Sequence, residues 1–125
     1  MTYNPVGWFE IPVNDMARAT KFYEDLFEFK MIRQDMADYE MTWFPMEHGD
    51  VKGASGALMK GVGYEVTGGG TMIYFTCSDI DTTVAKAELM GSKVILPKKD
   101  IGEYGTIAWI TDSEGNIIAL HTAKK

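Results

Sequence analysis

Cysteine occurs once in the 125 residues, at Cys77, so no intrachain disulfide can form. That usage fits a reducing compartment. Basic residues are in the minority, 12 Lys and Arg against 18 Asp and Glu, for a net charge of −6. A surface of that sign repels a phosphate backbone, which excludes a nucleic-acid partner. The two basic pairs, Lys98-Lys99 and Lys124-Lys125, read as a solvated turn and a tail. No apolar run approaches the length of a membrane span, which excludes a membrane partner. The opening MTYNPVGWFE has neither the basic flank nor the apolar stretch of a secretory signal. A soluble, cytoplasmic protein is the expectation.

What is present is ordinary globular material, 46% hydrophobic and 24% charged, in a length suited to one domain over residues 1–125. The chain also reads as if written twice. Laying Asp79 on Asp15, an offset of 64 positions, places Trp8-Phe9-Glu10-Ile11-Pro12-Val13-Asn14-Asp15 on Met72-Ile73-Tyr74-Phe75-Thr76-Cys77-Ser78-Asp79. A repeat of about 60 residues exceeds the usual solenoid periods and points to two pseudo-symmetric halves with a ligand site where they meet.

Each half has the same plan. Phe9, Ile11 and Val13 alternate with Trp8, Glu10 and Pro12, the period of a strand with one face in the core. Asn14 or Asp15 can cap a helix in which Ala19, Phe22, Tyr23, Leu26 and Phe27 recur at helical spacing. Strands are expected over 30–34, 40–46 and 54–59, with a turn at Glu47-His48-Gly49-Asp50; Gly53 and Gly56 suggest crowding or a bulge. Residues 61–70 carry five glycines and read as a flexible connector. Beyond them, a strand over 72–77, a helix capped by Ser78 or Asp79 and stopped at Gly91, and a strand over 93–96 are expected. A hairpin of 106–111 and 116–122 then turns through Asp112-Ser113-Glu114-Gly115. The fold class is α+β: two βαβββ modules, 1–60 and 71–125, joined by the linker 61–70.

Ile11-Pro12-Val13-Asn14-Asp15 followed by Lys21-Phe22-Tyr23 and Leu26-Phe27, with Asp112-Ser113-Glu114-Gly115-Asn116 near the end, resembles the vicinal oxygen chelate superfamily. That group contains glyoxalases, bleomycin and fosfomycin resistance proteins and extradiol dioxygenases. The resemblance covers nearly the whole chain and implies a cup-shaped mixed sheet with helices outside. It also implies a divalent metal held by His and Glu on the inner strand faces. Carried over residue by residue, those positions fall on Trp8, Met72, Ala119 and the neighbourhood of Ala54 or Ser55. Such side chains are poor ligands for a hard or borderline cation. No metal and no other cofactor is therefore expected.

Strand parity puts Trp8, Glu10, Met72, Tyr74, Ala119 and His121 on the inner faces, as the ligand-binding set. Glu10 and His121 are the candidate catalytic pair. A carboxylate on an apolar strand is costly unless it is paired or used, and burial would raise its pKa toward acid–base work. The bland alternatives are an exposed rim position for Glu10 and a half-exposed C-terminal histidine for His121. Cys77 reads as a small buried hydrophobe. Trp8, Trp43, Tyr74 and Trp109 form either an aromatic box or ordinary core.

Three functions follow. The first is a metal-free protein that binds a small apolar or aromatic molecule in the cup, with Glu10 and the aromatic faces favouring a cationic one. The second is a glyoxalase-style lyase or isomerase using Glu10 and His121, with or without a displaced metal site. The third is an assembly domain. A homodimer is expected, since one self-complementary patch suffices for a two-fold contact.

Overall fold

The computed structural model describes residues 5–45 and 53–125. Strand β1 (Trp8–Pro12) turns Phe9 and Ile11 toward the helices and Trp8 and Glu10 to the opposite face, as its alternation predicts. Helix α1 (Met16–Phe27) follows, with the Asp15 carboxylate accepting from the Arg18 amide at 3.0 Å as its N-cap. Met16, Ala19, Phe22, Tyr23 and Leu26 form the buried stripe of this helix. It ends at Glu28, held at φ 56°, where glycine is the commoner residue.

The expected strand 30–34 shortens to β2 (Ile32–Arg33). Glu24 takes the Met31 amide at 2.8 Å and diverts the N-terminal end, while at the other end the Gln34 amide still reaches the Met41 carbonyl at 2.9 Å before Met36 pairs with Tyr39 in a tight turn. Strand β3 (Glu40–Trp43) stops before Phe44 and Pro45, whose carbonyls accept from the Ser55 hydroxyl at 3.2 and 3.1 Å. The turn expected at residues 47–50, with His48, lies outside the described residues. Strand β4 (Ser55–Lys60) runs antiparallel to β3 and parallel to β1, with Glu10 opposite Ala57. Crowding is real at Gly56, where a Cβ would meet the Phe9 carbonyl and lie 2.7 Å from its ring, whereas Gly53 has open space and a turn conformation at φ 90°.

In the second half, β5 (Tyr74–Thr76) pairs parallel with β8 (Ile117–Thr122), and α2 (Ile80–Leu89) is capped by Asp79. Strand β6 (Val94–Asp100) outruns the expected 93–96. Against β7 (Thr106–Thr111) the register shifts once between Val94 and Leu96 and again between Leu96 and Lys99, the second across Pro97, which has no amide to donate. Asp100 then takes the Gly102 amide at 2.7 Å and starts a single 3-10 turn, Gly102–Tyr104, that sequence periodicity does not signal.

The architecture is α+β, two four-stranded mixed sheets in the orders β1-β4-β3-β2 and β5-β8-β7-β6. Each has the same connectivity, with one parallel and two antiparallel pairings. Among the described residues no strand pairing joins the two sheets. They share one core instead, in which Phe27 stacks on Phe75 at 4.7 Å and Tyr23 meets Phe44 and Phe75 at 5.6 and 5.8 Å. Among the described residues no helix is long and apolar enough to cross a membrane.

Candidate functional site

Strands β1 and β5 belong to different sheets, and residues of both line one cleft of about 810 Å³. Trp8 and Glu10 of the first half and Met72 and Tyr74 of the second line it, together with Phe9, Phe44 and Phe75. Trp8 is 38% and Tyr74 48% exposed, so large rings are presented to solvent at the mouth. Glu10 is the one charged side chain on the lining among the described residues.

Glu10 is an exposed carboxylate with two neutral donors. The Tyr64 hydroxyl donates to Oε1 at 2.6 Å and the Trp8 indole to Oε2 at 3.3 Å. Bonding to Glu10 pushes the Tyr64 phenol up to about 12, helped by partial burial and by the carboxylate charge. Edge-on contact between Trp8 and Trp43 at 5.9 Å continues the aromatic wall across the sheet. The Trp43 indole N–H is buried with no hydrogen-bond partner.

Ala119 and His121 are elsewhere. Ala119 is fully buried, and the strands on either side of it are joined by a 3.2 Å bond from the Trp109 indole to the Tyr74 hydroxyl. His121 sits opposite Thr76 in the ladder, and its Nε2 meets the Tyr104 carbonyl at 2.7 Å. Glu10 and His121 share neither a hydrogen bond nor the cleft. Cys77 is half-buried beside Thr122, Sγ to Oγ1 3.4 Å.

A metal of the kind the superfamily uses has no matching donors at the inherited positions. They carry an indole at Trp8, a thioether at Met72 and a methyl at Ala119, while the hydroxyl at Ser55 already serves two carbonyls. Among the described residues no group of three or more His, Cys, Asp or Glu side chains converges to hold a cation. These residues do not fit the group.

The cleft is positioned by a clasp that sequence reasoning reads only as a hairpin turn. Glu114, its side chain fully buried, accepts from the amides of Asn14 and Asp15 at 2.8 Å each and from the Arg18 guanidinium at 2.7 and 3.0 Å. Burial alone would raise its pKa; Arg18, the two amides and the Ser113 hydroxyl outweigh that and hold the carboxyl at about 2. Beside it, buried Asp112 accepts from the Tyr23 hydroxyl at 2.7 Å, and Asn116 donates to the Pro12 carbonyl at 2.9 Å. Burial and the Asp112 carboxylate raise the Tyr23 phenol well above its usual value. The turn of the second module thus grips the chain just after β1, which fixes β1 against β5.

The chain belongs to the Glyoxalase/Bleomycin resistance protein/Dioxygenase superfamily, whose family model matches residues 6–120. Among solved structures it is similar to TnmS3, an antibiotic binding protein from Streptomyces sp. CB03234, with 23% identity, 99% of each chain covered and a TM-score of 0.74. A glyoxalase/bleomycin resistance protein from the same organism shares 23% identity over 93% of this chain and 98% of that one, TM-score 0.70. Glyoxalase I from Leishmania major shares 17% identity over 96% of this chain and 87% of its own, TM-score 0.72. At these identities the likeness concerns the fold. A comparison with curated protein sequences gives no match.

Proposed function

We propose that this protein binds a small, partly aromatic or apolar molecule in the cleft between β1 and β5, without a metal ion, as a homodimer in the cytoplasm. The observation that carries the reading is the cleft itself: about 810 Å³, aromatic in much of its lining, with one carboxylate among the rings. That volume lies within the range of small-molecule sites, and a few polar groups in an apolar lining are their usual composition. Trp8 and Tyr74 offer π faces, and Glu10 adds a negative charge that no Lys, Arg or His among the described residues pairs, which favours an aromatic ligand carrying a cation. The likeness to an antibiotic binding protein and the separation of Glu10 from His121 support binding over turnover by that pair.

Titration calorimetry with naphthalene-sized cationic and neutral aromatics tests this, with Trp8→Ala as the control. Saturable binding that Trp8→Ala weakens at least tenfold is expected. Heats absent for both probe classes would remove the cleft as a binding site. Stoichiometric zinc, iron, nickel or manganese in the purified protein would overturn the metal-free reading.

A further inference from the structure

Tyr64 lies in the glycine-rich connector, yet it is packed in place. Its amide donates to the Gly61 carbonyl at 3.1 Å, the two residues pair as an antiparallel bridge, and Gly63 supplies the positive φ, 94°, that the reversal needs. The turn is seated on the sheet: a Cβ at Gly61 would lie 3.0 Å from Cε1 of Tyr39. The ring of Tyr64 meets Tyr39 edge-on at 5.5 Å and joins the cluster of Met41, Ala57 and Met59. From there its hydroxyl reaches Glu10 Oε1 at 2.6 Å, a short, charge-assisted bond. Oε2 keeps only the long 3.3 Å contact from Trp8, and among the described residues no Lys, Arg or His pairs with Glu10.

A carboxylate used in this way is half occupied. Its charge is not neutralised, because both donors are neutral, but Oε1 already commits one of its two lone pairs to a short bond from a donor on an anchored ring, while Oε2 is engaged only weakly. A guanidinium or amidinium binds a carboxylate best through two parallel N–H···O bonds, one to each oxygen. An ammonium needs a single oxygen and gains from the adjacent aromatic face.

We infer that Tyr64 is a specificity-determining residue of the cleft: by binding Glu10 Oε1 tightly it weakens and crowds that oxygen, leaves the loosely engaged Oε2 as the better acceptor, and so favours an aromatic ammonium over a two-point aromatic guanidinium. This inference rests on the proposed reading of the cleft as a ligand site. The connector therefore does more than span the modules; it sets which cation the first module accepts.

Three matched probes test this by calorimetry: 2-naphthylmethylammonium, 2-naphthylmethylguanidinium and neutral 2-naphthylmethanol, on wild type and Tyr64→Phe. Tyr64→Phe retains the ring packing and removes only the hydroxyl. Wild type should prefer the ammonium over the guanidinium by roughly 5- to 10-fold, the worth of one charge-assisted bond partly screened at an exposed site. In Tyr64→Phe that preference should vanish or invert, while affinity for naphthylmethanol stays unchanged. An equal ammonium-to-guanidinium ratio in the two proteins would overturn the role of Tyr64 and leave the binding cleft standing. A parallel loss for all three probes in Tyr64→Phe would reduce Tyr64 to a structural part and overturn the inference as well. Absence of binding by any probe to either protein would instead refute the cleft reading, and the inference with it.

Discussion

Glu114 offers the sharpest test of how the two modules are held. Its carboxyl is kept at about 2 against an ordinary value near 4.5, so the ionised form is stabilised by folding. Each tenfold change in proton affinity is worth about 1.4 kcal/mol, which sets an upper figure of about 3 kcal/mol for its contribution at neutral pH. One partner, Arg18, is 54% exposed, so water screens part of that attraction and about 2 kcal/mol is the better figure. The sign follows from the direction: a depressed pKa gives stability that is present above pH 4.5 and is lost as the pH falls toward about 2. Glu114→Gln keeps the shape and an acceptor for the Asn14 and Asp15 amides but forfeits the charge. At pH 7 it should cost about 2 kcal/mol, roughly 6 to 8 °C in Tm for a domain of this size. Urea or thermal unfolding at pH 7, 5, 4 and 3 should show the wild type losing its advantage stepwise, until the two proteins converge near pH 2. Arg18→Ala should cost less than Glu114→Gln, because the two amides and Ser113 still hold the carboxylate. A constant gap between wild type and Glu114→Gln across the pH series, or no gap at pH 7, would refute the clasp as a charge-dependent lock.

Three further outcomes are expected. Gly56→Ala should destabilise by about 3 kcal/mol in urea unfolding, because the new methyl meets the Phe9 backbone, which cannot yield as a side-chain tip would. Glu28→Gly should stabilise by about 1 kcal/mol, since Glu28 occupies the left-handed conformation at φ 56° with a side chain that opposes it. Glu10→Gln should bring the Tyr64 phenol down from about 12 toward its ordinary value, read as the change in tyrosinate absorbance on alkaline titration against wild type. The Glu10–Tyr64 bond itself should be intact below pH 10 and be lost as the pH rises through about 12.

The sequence alone determined what depends on local periodicity and capping. Alternation in Trp8–Pro12 separated Phe9 and Ile11 from Trp8 and Glu10, because successive side chains of a strand must point to opposite faces. Asn14 or Asp15, and Ser78 or Asp79, announced both helices, since a short polar side chain ahead of an apolar helical stripe satisfies otherwise unpaired amides; in each case the aspartate is the cap. The internal repeat carried the pairing of the two halves and their shared connectivity. Tertiary structure decided everything that joins residues far apart in the chain. Parity placed His121 on the inner face, but a face spans four strands, and position along the ladder put it against Tyr104 and away from Glu10. Asp112 and Glu114 looked like turn residues because their partners Tyr23, Asn14 and Asp15 lie about ninety to a hundred positions earlier. Tyr64 was hidden among glycines that read as slack chain, yet those glycines permit the turn that brings its hydroxyl to Glu10. Periodicity reports which way a side chain leaves its own backbone; only packing of distant segments decides what it meets there.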